Sequence, residues 1–416
     1  MESKFMGFLR ASHRGLHLSL DKGEQVLDDE AEPVVIGGMV LDINASSSMP
    51  ANPRTTTPGK VLYALGGVAR NVAECMSKLG TKPFMISTLG LDMAGNLLLE
   101  HWRSAGLSLE GIQKHQDIET AVVCNIFDGT GELLAAVASV ESLEKFLTPK
   151  WIERFRSNIC SAPVLMVDAN LSPPALLASC RMATECETPV WFEPVSVAKS
   201  KRIASIAEYI SFASPNEDEL VAMANALSCQ DKYLPVKRDC GSTKISIGSL
   251  FQMLKPAIWV LLEKGIRVVI VTLGSDGVFL CCKAVHGFKR RDFMGNKPHS
   301  FSRQLYSTVN SSCPPSRFVS SLPSNGRSLF FAVHFPALPA SVVRLTGAGD
   351  CLVGGTISSF CAGLDIMQSV AVGIAAAKAA VETENNVPAE YVLAKITDDA
   401  RAVYCDSNIV FCESKL

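Results

Sequence analysis

The chain reads as an α/β protein: a doubly wound, mostly parallel central sheet with helices on both faces, and a small β-strand lid. Three observations predict it. From residue 150 onward, short apolar runs alternate with helix-length segments, the period at which β-α-β units lay strands parallel. The longest apolar runs, such as Val268-Val269-Ile270-Val271-Thr272-Leu273, are strand-sized, far short of the roughly 20 residues that span a bilayer. Glycine-rich turns stand before helix-compatible segments at Gly66-Gly67 and at Gly347-Ala348-Gly349, and such turns let a backbone approach a ligand closely.

The bulk composition narrows the classes. A chain of 416 residues, 48% hydrophobic, can build one large α/β domain or two smaller ones. A formal net charge of −2 gives no global sign of nucleic-acid binding, and no apolar run suggests a membrane span. The 14 cysteines lack metal-like spacing, so they are expected to be mostly reduced core thiols of an intracellular protein. Residues 1–31 are mixed and polar without an apolar core, which predicts a flexible tail and not a secretory signal.

Taken in order, a first strand is expected over Val34–Asp42, with Gly37-Gly38 inside it and Asp42 at its end, where open sheets place ligands. Residues 45–65, rich in Ser, Thr and Pro, lead to Gly66-Gly67 and a helix whose apolar face holds Val68, Val72, Cys75, Met76 and Leu79, ending at Gly80. Arg70 and Asn71 fall on its first turn, as surface polar residues or as substrate contacts. A strand over 83–90, a helix from Asp92 to near Gly106, and a hairpin of 120–127 with 132–139 around Asp128-Gly129-Thr130-Gly131 follow. Next come strand 164–168, helix 173–185, strand 190–193, helix 198–208, strand 209–213 and helix 217–227.

The segment Ser214-Pro215-Asn216-Glu217-Asp218-Glu219 lies at a strand's C-terminal end. Its carboxylates suit either a hydrated Mg²⁺ or the first turn of a helix. Thr272 to Val278 is a glycine-spaced turn with Gly274 and Gly277. Residues 283–327, rich in Ser, Pro, Asn and basic side chains, read as a flexible insertion, and 230–247 as a shorter one. Helices follow over 350–362 and 366–382. Between them and the preceding insertion lies the turn with the most chemistry. In Arg344-Leu345-Thr346-Gly347-Ala348-Gly349-Asp350, backbone N–H groups at a helix start suit phosphate, and Asp350 could take a proton from an attacking hydroxyl.

The Gly347-Ala348-Gly349-Asp350 turn and the block Gly66-Gly67-Val68-Ala69-Arg70-Asn71 resemble the two signatures of the ribokinase-like (PfkB) carbohydrate kinases, in the family's order. The resemblance implies a kinase domain over 32–404, with lid strands in about 38–65 and 119–140. It implies that Gly347, Ala348 and Gly349 form the anion hole with Asp350 as catalytic base. Asp42, Gly66, Gly67, Asn71 and Asp350 would contact the acceptor. Asn216, Thr272, Gly274, Gly277, Gly347, Gly349 and Asn385 would serve ATP, and Asn216 with Glu219, the family's Asn-x-x-Glu, would serve Mg²⁺. Many members carry an Asp that helps to bind a monovalent cation where this chain has Arg344, which leaves a K⁺ requirement open. Lid strands of the family often pair between subunits, so a homodimer is expected.

Blocks such as Pro58-Gly59-Lys60, Asp168-Ala169-Asn170 and Glu193-Pro194-Val195-Ser196 are similar to those of family members that act on pseudouridine. The alternatives are another acceptor (ribose, fructose, adenosine or inosine) or a catalytically silent scaffold. Residues 405–416 are expected to be a tail, and Ser414-Lys415-Leu416 to be a peroxisomal address read by an import receptor.

Overall fold

The computed structural model describes residues 31–50, 54–128, 133–229, 231–236, 245–284, 303–315 and 329–414. The tail expected over 1–31 therefore lies almost wholly outside the described residues, as do the tip of the 120–139 hairpin, most of the insertion over 283–327, and Lys415-Leu416. The first half contains β1 (Val34–Ile36), β2 (Val40–Ser47), β3 (Gly59–Gly66), α1 (Val68–Lys78), β4 (Phe84–Gly90), α2 (Met93–Ser104), β5 (Ile112–His115), β6 (Ala121–Phe127), β7 (Leu133–Ser139), α3 (Glu141–Phe146), α4 (Pro149–Glu153), α5 (Arg156–Ser161), β8 (Leu165–Asp168), α6 (Pro173–Glu185) and β9 (Val190–Glu193). The second half continues with α7 (Val197–Ser200), β10 (Phe212–Ala213), α8 (Glu217–Ser228), α9 (Ile247–Glu263), β11 (Val268–Thr272), β12 (Val278–Ala284), α10 (Arg303–Ser312), β13 (Leu329–Phe335), α11 (Ala348–Cys361), α12 (Ile366–Val381), α13 (Leu393–Asp406) and β14 (Asn408–Ser414).

A large sheet runs in the order β14-β13-β12-β11-β10-β9-β8-β1-β4-β5. It is parallel from β11 to β5 and antiparallel from β12 to β14. Its central strands β1, β4 and β8 are buried throughout, as strands covered on both faces must be. Alternating side chains feed two apolar cores. One takes Val35, Met85, Met166 and Ile270 with α1, α2, α11, α12 and α13, and the other takes Ile36, Ile86, Val167 and Val271 with α6, α8 and α9. The doubly wound expectation therefore holds.

The first strand differs from the expected single run over 34–42. It breaks at Gly37-Gly38, so that β1 belongs to the large sheet and β2 to a second sheet, ordered β3-β2-β6-β7. The break has a steric cause: a Cβ on Gly37 would lie 2.2 Å from Asp168 Oδ2, and one on Gly67 would lie 2.4 Å from the Gly38 carbonyl oxygen. Only bare backbone fits where the two segments cross. Asp42 is consequently inside the first strand of the small sheet, opposite Ala64 of β3 and Val123 of β6.

Four further expectations need correction. The helix over 198–208 is one turn, α7, followed by two 3-10 turns that bring Ile203 and Ile206 inward at a spacing of three. The strand over 209–213 shrinks to Phe212–Ala213. Inside the 283–327 insertion, α10 buries Leu305 and Val309, with Cys313 following; the polar composition around it conceals a three-residue stripe at a spacing of four. The tail over 405–416 is largely β14, which pairs antiparallel with β13. Among the described residues, Cys160 and Cys186 form a disulfide between α5 and the end of α6, and most of the other cysteines are buried. The paired cysteines are 26 residues apart in sequence, and only the packing of α5 on α6 brings them together. Among the described residues no helix is long and apolar enough to cross a membrane.

Candidate active site

Both sequence signatures meet at one place. Gly347 caps α11 in the left-handed region, at φ 87°, and a Cβ there would lie 2.1 Å from the Asn386 carbonyl oxygen. Ala348 and Gly349 begin the helix, and Asp350 stands on its first turn. Across from it, Gly67 opens α1 at φ 96°. Asn71, one turn in, donates from Nδ2 to Asp350 Oδ2 at 2.6 Å. The Asn71 side chain is buried, so the surface alternative for this residue is excluded.

Asp42 faces the same cleft from the small sheet. Its Oδ2 accepts from Asn386 Nδ2 at 3.0 Å, and a Cβ on Gly66 would fall 2.2 Å from that oxygen. Asn386 also donates to the Leu65 carbonyl at 3.0 Å. It is buried, whereas the sequence candidate Asn385 is exposed and donates its N–H to Thr383 Oγ1. Asn386 is thus the asparagine of the pair that faces Asp42, while Asn385, expected as an ATP contact, faces outward.

The charges here are closely balanced. Burial, opposed by the Asn71 hydrogen bond and Arg70 and reinforced by Asp168 and Asp42, pushes the Asp350 carboxyl up to about 6. Burial likewise raises Asp42, against Asn386, Arg344 and Arg70. Arg70 is buried, forms an ion pair with Glu74, and is brought down by burial to about 10, with Asp350 and Asp42 opposing that fall. It stays a cation beside two carboxylates. Burial excludes the surface reading of Arg70, and its charge role follows from that burial, which periodicity did not reveal.

Asn216, Glu219, Thr272 and Gly274 meet at the C-terminal ends of β10 and β11, where Asn216 bridges to Thr272 and Gly274 begins the turn at φ 61°. Gly277, at φ 94°, packs instead against the Phe335 carbonyl. Asn216 and Glu219 cap α8 reciprocally: Asn216 Oδ1 accepts from the Glu219 N–H at 2.8 Å, and Glu219 Oε2 accepts from the Asn216 N–H at 2.9 Å. One oxygen of each is thus committed to the helix start. Glu193, at the end of β9, accepts from Ser214 Oγ at 2.5 Å, and Ser214 accepts from Trp191 Nε1 at 2.8 Å. Burial, with Glu219 and Asp350 nearby, raises the Glu193 carboxyl well above the usual range. This all-oxygen, mutually repelling set fits a hard divalent cation held through water. Among the described residues no three His, Cys, Asp or Glu side chains converge closely enough to hold a metal directly.

Several buried polar atoms around the cleft have no protein partner: Asn71 Oδ1, Asn386 Oδ1, Arg70 Nε and Nη1, and Asn44 Nδ2. Buried polar groups need partners, so their concentration about Asp42 and Asp350 marks a polar ligand site.

Comparison with known proteins agrees. The chain is 54% identical over 373 residues, 90% of its length and 96% of the relative's, to a pseudouridine kinase of Arabidopsis thaliana. It is 23% identical over 81% of its length to 86% of a pseudouridine kinase of Escherichia coli. The structure of Arabidopsis thaliana ribokinase complexed with ribose and ATP superposes with a TM-score of 0.63 at 16% identity, covering 89% of this chain and 99% of that one. The pfkB family carbohydrate kinase pattern matches residues 31–293 and 291–389. With that match spanning both signatures and the cleft they build, the chain belongs to the pfkB family of carbohydrate kinases.

Proposed function

We propose that the protein transfers the γ-phosphoryl group of ATP to the ribose 5′-hydroxyl of pseudouridine, giving pseudouridine 5′-phosphate and ADP. The high identity to the Arabidopsis pseudouridine kinase, over nearly the whole of both chains, carries the choice of acceptor. The geometry supplies the chemistry. Asp42 and Asn386 form a paired acceptor and donor suited to neighbouring ribose hydroxyls. Asp350, held by Asn71, takes the hydroxyl proton as the oxygen attacks. The N–H groups at the start of α11 stabilise charge on the transferring phosphoryl. Asn216 and Glu219, with Glu193 beside them, would hold Mg²⁺ through water, and that ion supplies charge neutralisation of the polyphosphate.

The small sheet supports a nucleoside over a bare sugar. Asn44 lies two residues along β2 from Asp42, hence on the same face, and faces Asn125 of β6 in register. Asn125 Nδ2 donates to Asn44 Oδ1 at 3.0 Å, which leaves the buried Asn44 Nδ2 with no protein partner. A polar base edge beyond the ribose would meet that donor. ADP release should be measured with pseudouridine, uridine, inosine, adenosine, ribose and fructose in turn. Pseudouridine is expected to lead, and Asn44→Leu to lower kcat/KM for pseudouridine by about tenfold or more while ribose changes little. A lead for any other acceptor replaces the substrate; no response at all with nucleotide binding intact turns the protein into a scaffold.

For the monovalent cation, Arg344 offers a built-in substitute. Its Nη1 donates to the Glu384 carbonyl at 3.0 Å and its N–H to the Val381 carbonyl at 3.2 Å, tying the segment before Gly347 to the last residue of α12 and the turn after it. Equal turnover in K⁺-free and K⁺ buffers is the expected result in the same assay. A second copy of the chain is the proposed partner of the small sheet, whose β3 exposes Val61, Leu62 and Tyr63 and whose β7 exposes Val137; sedimentation equilibrium tests it. Peroxisomal delivery through Ser414-Lys415-Leu416 is tested by whether deleting the tripeptide abolishes import.

A further inference from the structure

The turn that follows β9 is strained at a residue poorly suited to it. Among the described residues four non-glycines take positive φ, and Val195, at 67°, is the β-branched one. Branching at Cβ makes the left-handed region a genuine outlier. The Ser196 N–H donates to the Pro194 carbonyl at 2.7 Å, which closes a three-residue turn with Val195 at its centre. The form of this turn with positive φ at the centre is rare and strained. Glycine would take the same backbone freely, but the half-buried Val195 side chain packs against the second apolar core. The side chain thus anchors the turn while its own backbone is strained.

Strain of this kind collects where the surrounding structure uses it. Two residues before Val195 stands Glu193, the last residue of β9, and its carboxylate is held in a second way. Oε2 accepts from Ser214 Oγ at 2.5 Å, and that buried hydroxyl accepts from Trp191 Nε1 at 2.8 Å. Trp191 is itself stacked on Phe212, with ring centroids 5.1 Å apart, so packed rings fix the relay. Ser214 lies two residues before Asn216. One short segment therefore carries both the hydroxyl that holds Glu193 and the cap residue assigned to the cation. An amide oxygen would accept from Ser214 equally well without the cost of drawing a charge out of water. We infer that Ser214 and Val195 are positioning residues, which fix Glu193 from the end of β10 and from the chain behind it so that the carboxylate faces the water shell of the divalent cation. The inference rests on the reading that Asn216, Glu219 and Glu193 surround that cation, and it names what aims Glu193.

Removing the group that orients a metal-facing side chain weakens metal affinity by about 10–100-fold. Mn²⁺, a paramagnetic substitute for Mg²⁺, would be titrated into the protein with ADP present, and the Mg²⁺ dependence of turnover measured beside it. Ser214→Ala and Val195→Gly are each expected to weaken Mn²⁺ binding about tenfold and to raise the Mg²⁺ concentration needed for half-maximal velocity. Ser214→Thr keeps the hydroxyl and restores both. A merely structural role would lower the melting temperature and leave metal affinity unchanged, and that result in either variant overturns the inference. If Ser214→Ala does not fold, Val195→Gly decides alone, since glycine accepts φ 67° without strain. Glu193→Gln tests the underlying reading. Metal affinity unchanged there removes Glu193 from the cation, whereas affinity lost there but kept in Val195→Gly overturns only the positioning.

Discussion

Replacing Asp350 by Ala should lower kcat by about 10²–10⁴-fold, the usual worth of a positioned general base, while nucleotide binding survives. Of the proposed nucleotide contacts, Asn216 caps α8, Thr272 ends β11 and Gly274 follows it, while Gly347 and Gly349 act through backbone that the substitution leaves in place. Stopped turnover with an intact nucleotide titration is therefore the signature. Asp350→Asn separates charge from shape, since the amide fills the same space beside Asn71. The wild-type pH profile carries the same information. The carboxyl titrates near 6, raised chiefly by burial, and only the ionised form can accept a proton. As pH falls through about 6, kcat/KM should fall with unit slope, and it should be level above that. An acid limb near 4 would mean that the base is not buried as described.

Gly347→Ala carries the second large effect. Residue 347 sits at φ 87°, where an L side chain is strained by about 1–3 kcal/mol. Its new Cβ would also meet the Asn386 carbonyl oxygen, 2.1 Å away. Backbone cannot yield as a flexible side chain does, so Asn386 shifts, and its amide holds Asp42. A single methyl group then disturbs the phosphate cradle and the acceptor site together. The expected loss in kcat/KM is about 10²-fold, with a lowered melting temperature. Gly349→Ala is the contrast: its Cβ would meet nothing within 4 Å, so stability should hold.

How much of this was legible in the sequence depended on range. The Gly-Ala-Gly-Asp turn and the Gly-Gly helix start were readable because local backbone geometry dictates glycine there, and the structure brings Gly66, Gly67, Asn71, Gly347 and Asp350 together. Helices α6 and α8 fell where periodicity and the Asn216 cap put them. What failed was long-range. The break of the first strand depends on Asp168, 130 residues away in sequence from Gly38. β14 exists because β13 offers it an edge, and no local pattern announces a partner strand. The capping box at Asn216 and Glu219 shows the opposite hazard, since one short motif serves helix initiation whether or not it also serves a metal. That Asn386 faces Asp42 could be seen only by knowing which side of the loop turns toward the small sheet.

Asn386 has one further consequence. Its amide holds the acceptor-side carboxylate, while its carbonyl lies against Gly347 and receives the Cys351 thiol at 3.6 Å. A nucleoside that takes over Asp42 must renegotiate that amide, and any shift is felt at the phosphate cradle through the same peptide. Thermodynamic reciprocity then applies: whatever factor the nucleoside confers on ATP affinity, ATP confers on the nucleoside. Asn386 is the residue through which the two ligands would sense each other, and its replacement by Ala is expected to uncouple their affinities.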